Sequence, residues 1–172
     1  EKVMSSRKIS DLHISMQDKA QAFLDLCKKE GIHLLVSCTL RSCEEQMALY
    51  AQGRKSLTVV NALRADIGLY AITDKENIRP VTNALPGQSL HNYGLAIDVV
   101  PTDMGKPVWD NESLWQTIGS IGEDCGLEWY GHNPHFKEYP HFQYKGGLTL
   151  KDIQSGKMPF DDSHPIATTY TK

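Results

Sequence analysis

One carboxylate interrupts an apolar segment of the chain, residues 94–100 (GLAIDVV). A short apolar run with β-branched residues is typical of a buried β-strand. On such a strand Asp98 shares a face with Ala96 and Val100, because side chains alternate between the two faces. Burying the charge of Asp98 is costly unless a cation or several hydrogen-bond donors compensate it. Two interpretations stay open: a metal ion shared with His91, or a carboxylate satisfied by backbone amides beside an unrelated histidine.

Apolar spacing and turn residues divide the rest of the chain into helices and further strands. A helical period predicts a first helix over residues 10–29, capped by Ser10 or Asp11, and Ser42 is a second candidate N-cap. The other predicted elements are the strands 32–38, 127–130 and 141–144 and the helices 42–53, 113–125 and 150–154. Residues 55–80 are expected to form an insertion, a long loop with some local structure, or a lid, and residues 146–172 form a tail.

These elements predict an α+β fold, in which a small, mainly antiparallel sheet is packed with helices. A chain of 172 residues fits one domain and leaves little room for a second. We therefore expect a single domain over residues 1–172, with its core at residues 10–145.

Composition excludes several classes of function. The chain carries 18 Lys and Arg against 21 Asp and Glu, a net charge of −3, so a broad nucleic-acid-binding surface is not expected. Its apolar runs are far shorter than the roughly 20 residues that span a bilayer, which predicts no membrane insertion. The four cysteines form no close-spaced pair, so small buried thiols are favoured over a cysteine zinc site. A disulfide stays open.

A second polar segment, residues 138–141 (EYPH), places Glu138 before a proline and His141 at the start of a strand. A zinc hydrolase needs three protein ligands, an open position for water and a carboxylate as general base. His91, Asp98 and His141 would supply the ligands, and Glu138 the base. Taken alone, His141 beside aromatic residues is more often a packed, hydrogen-bonded ring.

Together the segments SLHNYGLAID (89–98) and EYPH (138–141) resemble the zinc peptidases of the D-alanyl-D-alanine carboxypeptidase type. The chain is most similar to the L-alanyl-D-glutamate endopeptidases of phage endolysins and bacterial autolysins. The resemblance extends to LRS (40–42) with EQ (45–46), to LYAQGR (49–54) and to VTNA (81–84), and covers residues 10–145. It implies a zinc site on one face of the sheet, as in the LAS and Hedgehog folds.

The resemblance also implies roles for individual residues. His91, Asp98 and His141 would hold Zn²⁺, Glu138 would be the catalytic base, and Arg41 would bind substrate. A planar guanidinium suits a carboxylate or a polarised carbonyl, although a surface salt bridge is the ordinary alternative for such an arginine. Ser89 would either hydrogen-bond substrate or act as a simple turn residue.

The implied function is hydrolysis of an amide bond in the peptidoglycan stem peptide, between L-alanine and D-glutamate. The expected partner is peptidoglycan, with no nucleic acid, and the expected state is a monomer. The protein would act in the periplasm or cell wall, after secretion or release through a phage holin.

Two departures from the family pattern keep alternatives open. The endopeptidases usually have Asp where this chain has Glu138, and they commonly have Gly-Tyr where it has Thr39 and Leu40. A D-Ala-D-Ala carboxypeptidase or dipeptidase is therefore one alternative. A non-catalytic binding module that contains zinc is another, although an intact Glu138 opposes it.

Four further residues near the second segment have weaker assignments. His132 and His135 are an alternative ligand pair, but the intervening Pro134 makes a helical pairing improbable. We expect them at the cleft mouth or on the surface. Trp129 and Tyr130 are expected in the cleft wall or the core, with the core favoured.

Overall fold

The structure is a computed structural model and describes residues 5–160. Within these residues, the five helices are α1 (Ile14–Lys29), α2 (Cys43–Ala51), α3 (Leu57–Asp66), α4 (Glu112–Asp124) and α5 (Leu150–Gln154). The five strands of this part of the chain are β1 (His33–Cys38), β2 (Ala96–Asp103), β3 (Lys106–Pro107), β4 (Glu128–Trp129) and β5 (His141–Gln143). Short 3-10 turns lie at Ile9–Asp11, Glu76–Ile78, Leu90–Tyr93 and Tyr130–His132.

The five strands form one sheet in the order β1-β2-β5-β4, with β3 paired to the end of β2. All of these pairs are antiparallel. The predicted α+β fold is therefore confirmed. Strand β2 is central, because β1 and β5 pair with it from opposite sides.

One face of this sheet forms the main core. Ile97 and Val99 of β2 and Phe142 of β5 pack in a single buried cluster with α1 and α4, which contribute Phe23 and Trp115. The rings of Phe23 and Phe142 lie 4.5 Å apart between centroids. Since side chains alternate along β2, Asp98 lies on the opposite face from Ile97 and Val99. That opposite face carries the polar residues described below.

Helix α3 corrects the loop expected within residues 55–80. Ser56 caps this helix by accepting a hydrogen bond from the backbone N–H of Val59. Val60 is buried in a small separate cluster with Ala51 and Ile72. Three β-branched residues, Thr58, Val59 and Val60, obscure the helical period because they favour strands. Whether the segment is an insertion or a lid stays a prediction.

The start of α1 and the tail also differ in detail from expectation. Neither Ser10 nor Asp11 caps α1: both belong to a 3-10 turn, and His13 caps the helix with its Nδ1. The predicted helix at 150–154 is confirmed as α5, and its Ile153 is buried against Leu90 and Leu95. The rest of the predicted tail, residues 161–172, lies outside the described residues. Between residues 5 and 160, no helix is both long enough and apolar enough to cross a bilayer.

Candidate metal centre

Asp98 lies at the middle of a row of three polar residues across three strands. In the register of the sheet it pairs with Cys38 of β1 on one side and with His141 of β5 on the other. Its side chain is 21% exposed, whereas His141 is buried. The antiparallel pairing thus brings side chains together that are far apart in the sequence.

A tight turn places His91 beside the same carboxylate. Ser89 caps the 3-10 turn Leu90–Tyr93 by accepting a hydrogen bond from the backbone N–H of His91. Gly94 ends the turn in the left-handed conformation, with φ of 67°, which glycine adopts without steric cost. The chain then enters β2, so the His91 side chain lies over the strand that follows it. The spacing between His91 and Asp98 is explained by this turn.

Both imidazoles approach the same oxygen of Asp98. Nε2 of His91 lies 3.1 Å and Nδ1 of His141 lies 3.0 Å from Oδ1. The outer nitrogens face acceptors: Nδ1 of His91 is 2.8 Å from the Thr39 carbonyl, and Nε2 of His141 is 2.9 Å from Oε1 of Gln143. Each outer nitrogen therefore carries a hydrogen, and each inner nitrogen is left to bind a proton or a metal ion beside Oδ1 of Asp98.

This donor set fits a divalent metal ion. Nε2 of His91 is buried and, among residues 5–160, has no hydrogen-bond partner of acceptable geometry. Two imidazole lone pairs and a carboxylate oxygen are ligands that zinc accepts, and hydrogen bonds to the outer nitrogens are typical of metal-bound histidines. Gln143 in turn donates to Glu128 at 2.9 Å, which fixes its amide orientation.

The electrostatics of His91 and Asp98 also favour a positive charge beside their side chains. Burial opposes protonation of His91, but the Asp98 carboxylate outweighs it and raises the pKa of His91 to about 10. Burial likewise opposes ionisation of Asp98, yet the two histidines hold its pKa far below its ordinary value. A proton satisfies this demand in the metal-free protein, and a metal ion would replace that proton.

Arg41 lies at the edge of the same group. Its Nη2 is 3.8 Å from Oδ2 of Asp98 and 3.5 Å from Sγ of Cys38. Nη1 donates to Oε1 of Gln46 at 3.1 Å, and the backbone N–H of Arg41 donates to the His91 carbonyl at 3.0 Å. The side chain is 15% exposed, so it is not an ordinary surface arginine.

A cleft of about 640 Å³ opens over these residues. Its walls include Arg41, Ser89, Glu138 and both histidines of the predicted site. Glu138 is half-buried, and burial raises the pKa of its carboxyl above the ordinary value. The cleft therefore brings together every residue that the sequence analysis singled out for zinc binding, catalysis and substrate binding.

The weaker assignments are divided between the core and the cleft. Trp129 is buried in the main core, as favoured, whereas Tyr130 lines the cleft and its ring lies 4.6 Å from that of His141. His135 lines the cleft mouth. His132 is exposed and lies 2.9 Å from Oε1 of Glu123.

Two residues of the site were missed by the sequence analysis. Gln143 orients His141, and its position two residues after His141 on a strand was a usable signal, since the two side chains share a face. Cys38 was expected to be a small buried thiol. It is buried, but its sulfur and one donor atom each of His91 and Asp98 lie within 4.8 Å of one another. None of the four cysteines, all within the described residues, forms a disulfide.

Comparison with known proteins gives one family match. The profile of the family described as VanY, D-alanyl-D-alanine carboxypeptidase, matches residues 9–147. The chain is 35% identical to the peptidoglycan L-alanyl-D-glutamate endopeptidase CwlK of Bacillus subtilis over 143 residues, which cover 78% of this chain and 74% of that protein.

Solved structures show the same fold. The L-Ala D-Glu endopeptidase ChiX of Serratia marcescens has a TM-score of 0.52 at 22% identity, covering 90% of this chain and 92% of that one. A variant of the vancomycin-resistance D,D-pentapeptidase VanY, crystallised with Zn(II), has a TM-score of 0.53 at 15% identity, covering 91% of this chain and 86% of that one.

Proposed function

Since the chain belongs to the family of VanY D-alanyl-D-alanine carboxypeptidases, we propose that it is a zinc-dependent peptidase of peptidoglycan stem peptides. One observation carries the proposal: two imidazoles converge on Oδ1 of Asp98 at the floor of a cleft that Glu138 and Arg41 also line. The name of the 35% identical relative supports the L-alanyl-D-glutamate bond as the one that is cleaved.

In this proposal His91, Asp98 and His141 hold the zinc ion. When bound, zinc supplies Lewis-acid polarisation of a carbonyl and makes water a stronger nucleophile. The Thr39 carbonyl and the Gln143 amide keep the two rings oriented. Such hydrogen-bond partners fix the orientation and tautomer of each ring, so that the other nitrogen presents its lone pair to the metal ion.

Glu138 is the proposed general base. Its carboxylate accepts a proton from the attacking water and passes it to the leaving amine. A raised pKa suits this exchange, because a base works best when its pKa is close to the working pH. Water gains access to Glu138 because its side chain borders the cleft.

Arg41 is proposed to bind substrate. Its guanidinium lies at the edge of the cleft beside Asp98, where it can face a carboxylate of the stem peptide or the carbonyl oxygen under attack. Ser89 already serves the turn as a cap. Its position in the cleft wall also supports a hydrogen bond to substrate.

The cleft wall at residues 82–84 supports an endopeptidase. Arg54 donates to the carbonyls of Tyr50 and Thr82, at 2.7 and 2.9 Å, and to Oδ1 of Asn83 at 3.3 Å. These bonds hold together the two segments, 49–54 and 81–84, that carry the resemblance to the endopeptidases. Thr82, Asn83 and Ala84 line the cleft, where this wall can contact a stem peptide.

A D-Ala-D-Ala carboxypeptidase is the second candidate function. Glu138 favours it, because the carboxypeptidases resembled by this chain have Glu at this spacing, whereas the endopeptidases usually have Asp. It would use the same metal centre and release single terminal D-alanines.

Mass spectrometry of peptidoglycan digests tests the proposal. Purified fragments would be incubated with the protein, with and without a chelator. Stem peptides that begin at D-glutamate, released only without chelator, are the expected result. Loss of terminal D-alanine alone would move the protein to the carboxypeptidases. Absence of cleavage in every wall type would favour a zinc-containing binding module and overturn the proposal. As a readout independent of activity, metal analysis should find zinc in the active protein and none after chelation.

The place of action is part of the proposal. Peptidoglycan lies outside the cytoplasmic membrane, so the protein would work in the periplasm or cell wall. Both an autolysin and a phage endolysin released through a holin meet this requirement.

A further inference from the structure

Cys38 reaches the metal centre because of an irregularity in strand pairing. Val36 pairs with Val99 and Cys38 pairs with Asp98, so Ser37 is left without a partner in the register between β1 and β2. In a regular ladder Ser37 would lie opposite Asp98. The extra residue re-aims the following side chain, which is a common effect of a bulge. Cys38 is thereby placed directly beside the carboxylate.

The sulfur lies among charged and polar groups. Sγ and one donor atom each of His91 and Asp98 lie within 4.8 Å of one another. Sγ also accepts a long contact from Nη2 of Arg41 at 3.5 Å. Its own hydrogen bond, to the Thr39 carbonyl, is 3.9 Å long and weak. A thiol whose role was only to fill the core would have apolar neighbours instead.

A second observation at the same place points to a ligand. Nε2 of His91 belongs to a side chain that is only 3% exposed, and no described residue gives it a hydrogen bond of acceptable geometry. It faces the space shared by Asp98 and Cys38. Around one zinc ion, with Zn–S of about 2.3 Å and Zn–N of about 2.0 Å, ligand atoms of a tetrahedron lie roughly 3.5 Å apart. The donor atoms of Cys38, His91 and Asp98 lie no more than 4.8 Å apart, so a small movement of side chains brings them to that spacing.

We propose that Cys38 is a fourth protein ligand of the metal ion. The proposal rests on the proposed function, since it uses the same centre. On metal binding the thiol loses its proton to solvent and binds as the thiolate. A thiolate favours zinc and other soft cations over magnesium or calcium. Catalytic zinc sites can expand to five ligands, so a bound sulfur leaves one further position for water.

Cobalt substitution tests the proposal by spectroscopy. The metal-free full chain would be loaded with Co²⁺, and its ultraviolet and visible spectra recorded. A sulfur-to-cobalt charge-transfer band in the ultraviolet is expected. This band should be lost in Cys38→Ser and kept in Cys43→Ser, a matched control in which the cysteine is exposed at the start of α2. The visible bands of bound cobalt should remain in all three proteins. Wild-type spectra without the sulfur band, or an unchanged band in Cys38→Ser, would overturn the proposal.

A second measurement tests the proposal even if the Cys38→Ser variant fails to fold or to bind cobalt. X-ray absorption of the zinc-loaded wild-type protein should detect one sulfur scatterer at about 2.3 Å. A shell of nitrogen and oxygen alone would refute the ligand role of Cys38. Peptidoglycan hydrolysis is scored separately. Hydrolysis without a sulfur ligand leaves the proposed function intact and refutes this inference. A sulfur ligand without hydrolysis supports this inference and refutes the proposed function.

Discussion

Nδ1 of His141 lies 3.0 Å from Oδ1 of Asp98, and the two residues are direct partners in the register of β2 and β5. The distance is therefore set by backbone pairing as well as by side-chain rotamers. A site built on paired strands is held more rigidly than one built on loops. This pairing makes His141 the natural place to test metal binding.

His141→Ala should weaken zinc binding strongly. The variant removes one of the two imidazole ligands of the proposed centre, and His91, Asp98 and Cys38 remain. Zinc content after dialysis against a chelator, measured by elemental analysis, should fall well below the one ion per chain of the wild type. His132→Ala is the control, because His132 is exposed and lies beside Glu123 rather than Asp98. Equal zinc content in the two variants would remove His141 from the ligand set.

Glu138→Gln should separate catalysis from metal binding. The amide keeps the size of the side chain but cannot accept the proton of the attacking water. We expect kcat to fall by about 10²–10⁴-fold. Zinc content should stay at the wild-type level, and Glu44→Gln, at an exposed position of α2, should have wild-type activity. A Glu138→Gln enzyme that is nearly as fast as wild type would mean that another group is the base.

Gln143→Leu should weaken metal binding without removing a ligand. Gln143 accepts from Nε2 of His141 and thereby fixes the ring with Nδ1 toward Asp98. Loss of such a partner typically weakens metal affinity by about 10–100-fold. Competition with a zinc-binding dye measures this change, and Gln116→Leu, at an exposed position of α4, is the matched control. Unchanged affinity in Gln143→Leu would show that packing alone orients the ring.

Gly94→Ala should cost more stability than Gly105→Ala. Both glycines have positive φ, 67° and 77°, so both variants pay the cost of a left-handed residue. A Cβ on Gly94 would lie 2.8 Å from the backbone nitrogen of His13, whereas nothing lies within 4 Å at Gly105. We expect Gly94→Ala to lose about 1–3 kcal/mol more in free energy of unfolding.

Chemical denaturation in the presence of a chelator checks this difference, because bound metal then does not add to stability. Equal losses in the two variants would mean that the backbone near His13 moves aside at little cost.

Residue patterns predicted those parts of the molecule that depend on local chemistry. Residues 94–100 were predicted as a buried strand because a single apolar run carried the signal. The resemblance to the zinc peptidases then paired His91 with Asp98. Helix α3 was missed, since Thr58, Val59 and Val60 favour strands and the helix depends on its contact with Ala51 and Ile72. Local propensity cannot represent such a contact.

Strand register is the second thing that the sequence did not reveal. Cys38 and Asp98 are partners because one residue of β1 is skipped, and no local pattern marks that irregularity. A shift of one residue would place Cys38 on the other face of the sheet. The three proposed ligands could be named from a motif, but the neighbour of the central carboxylate could not.

The sheet order has a consequence for the cell that makes this protein. His91 and Asp98 are synthesised well before His141, and β5 must dock beside β2 before the last imidazole reaches the carboxylate. A ribosome-bound chain, or a fragment cut before residue 141, lacks that part of the centre. Under the proposed function, wall-cutting activity therefore requires that residue 141 has been synthesised and that β5 has docked beside β2.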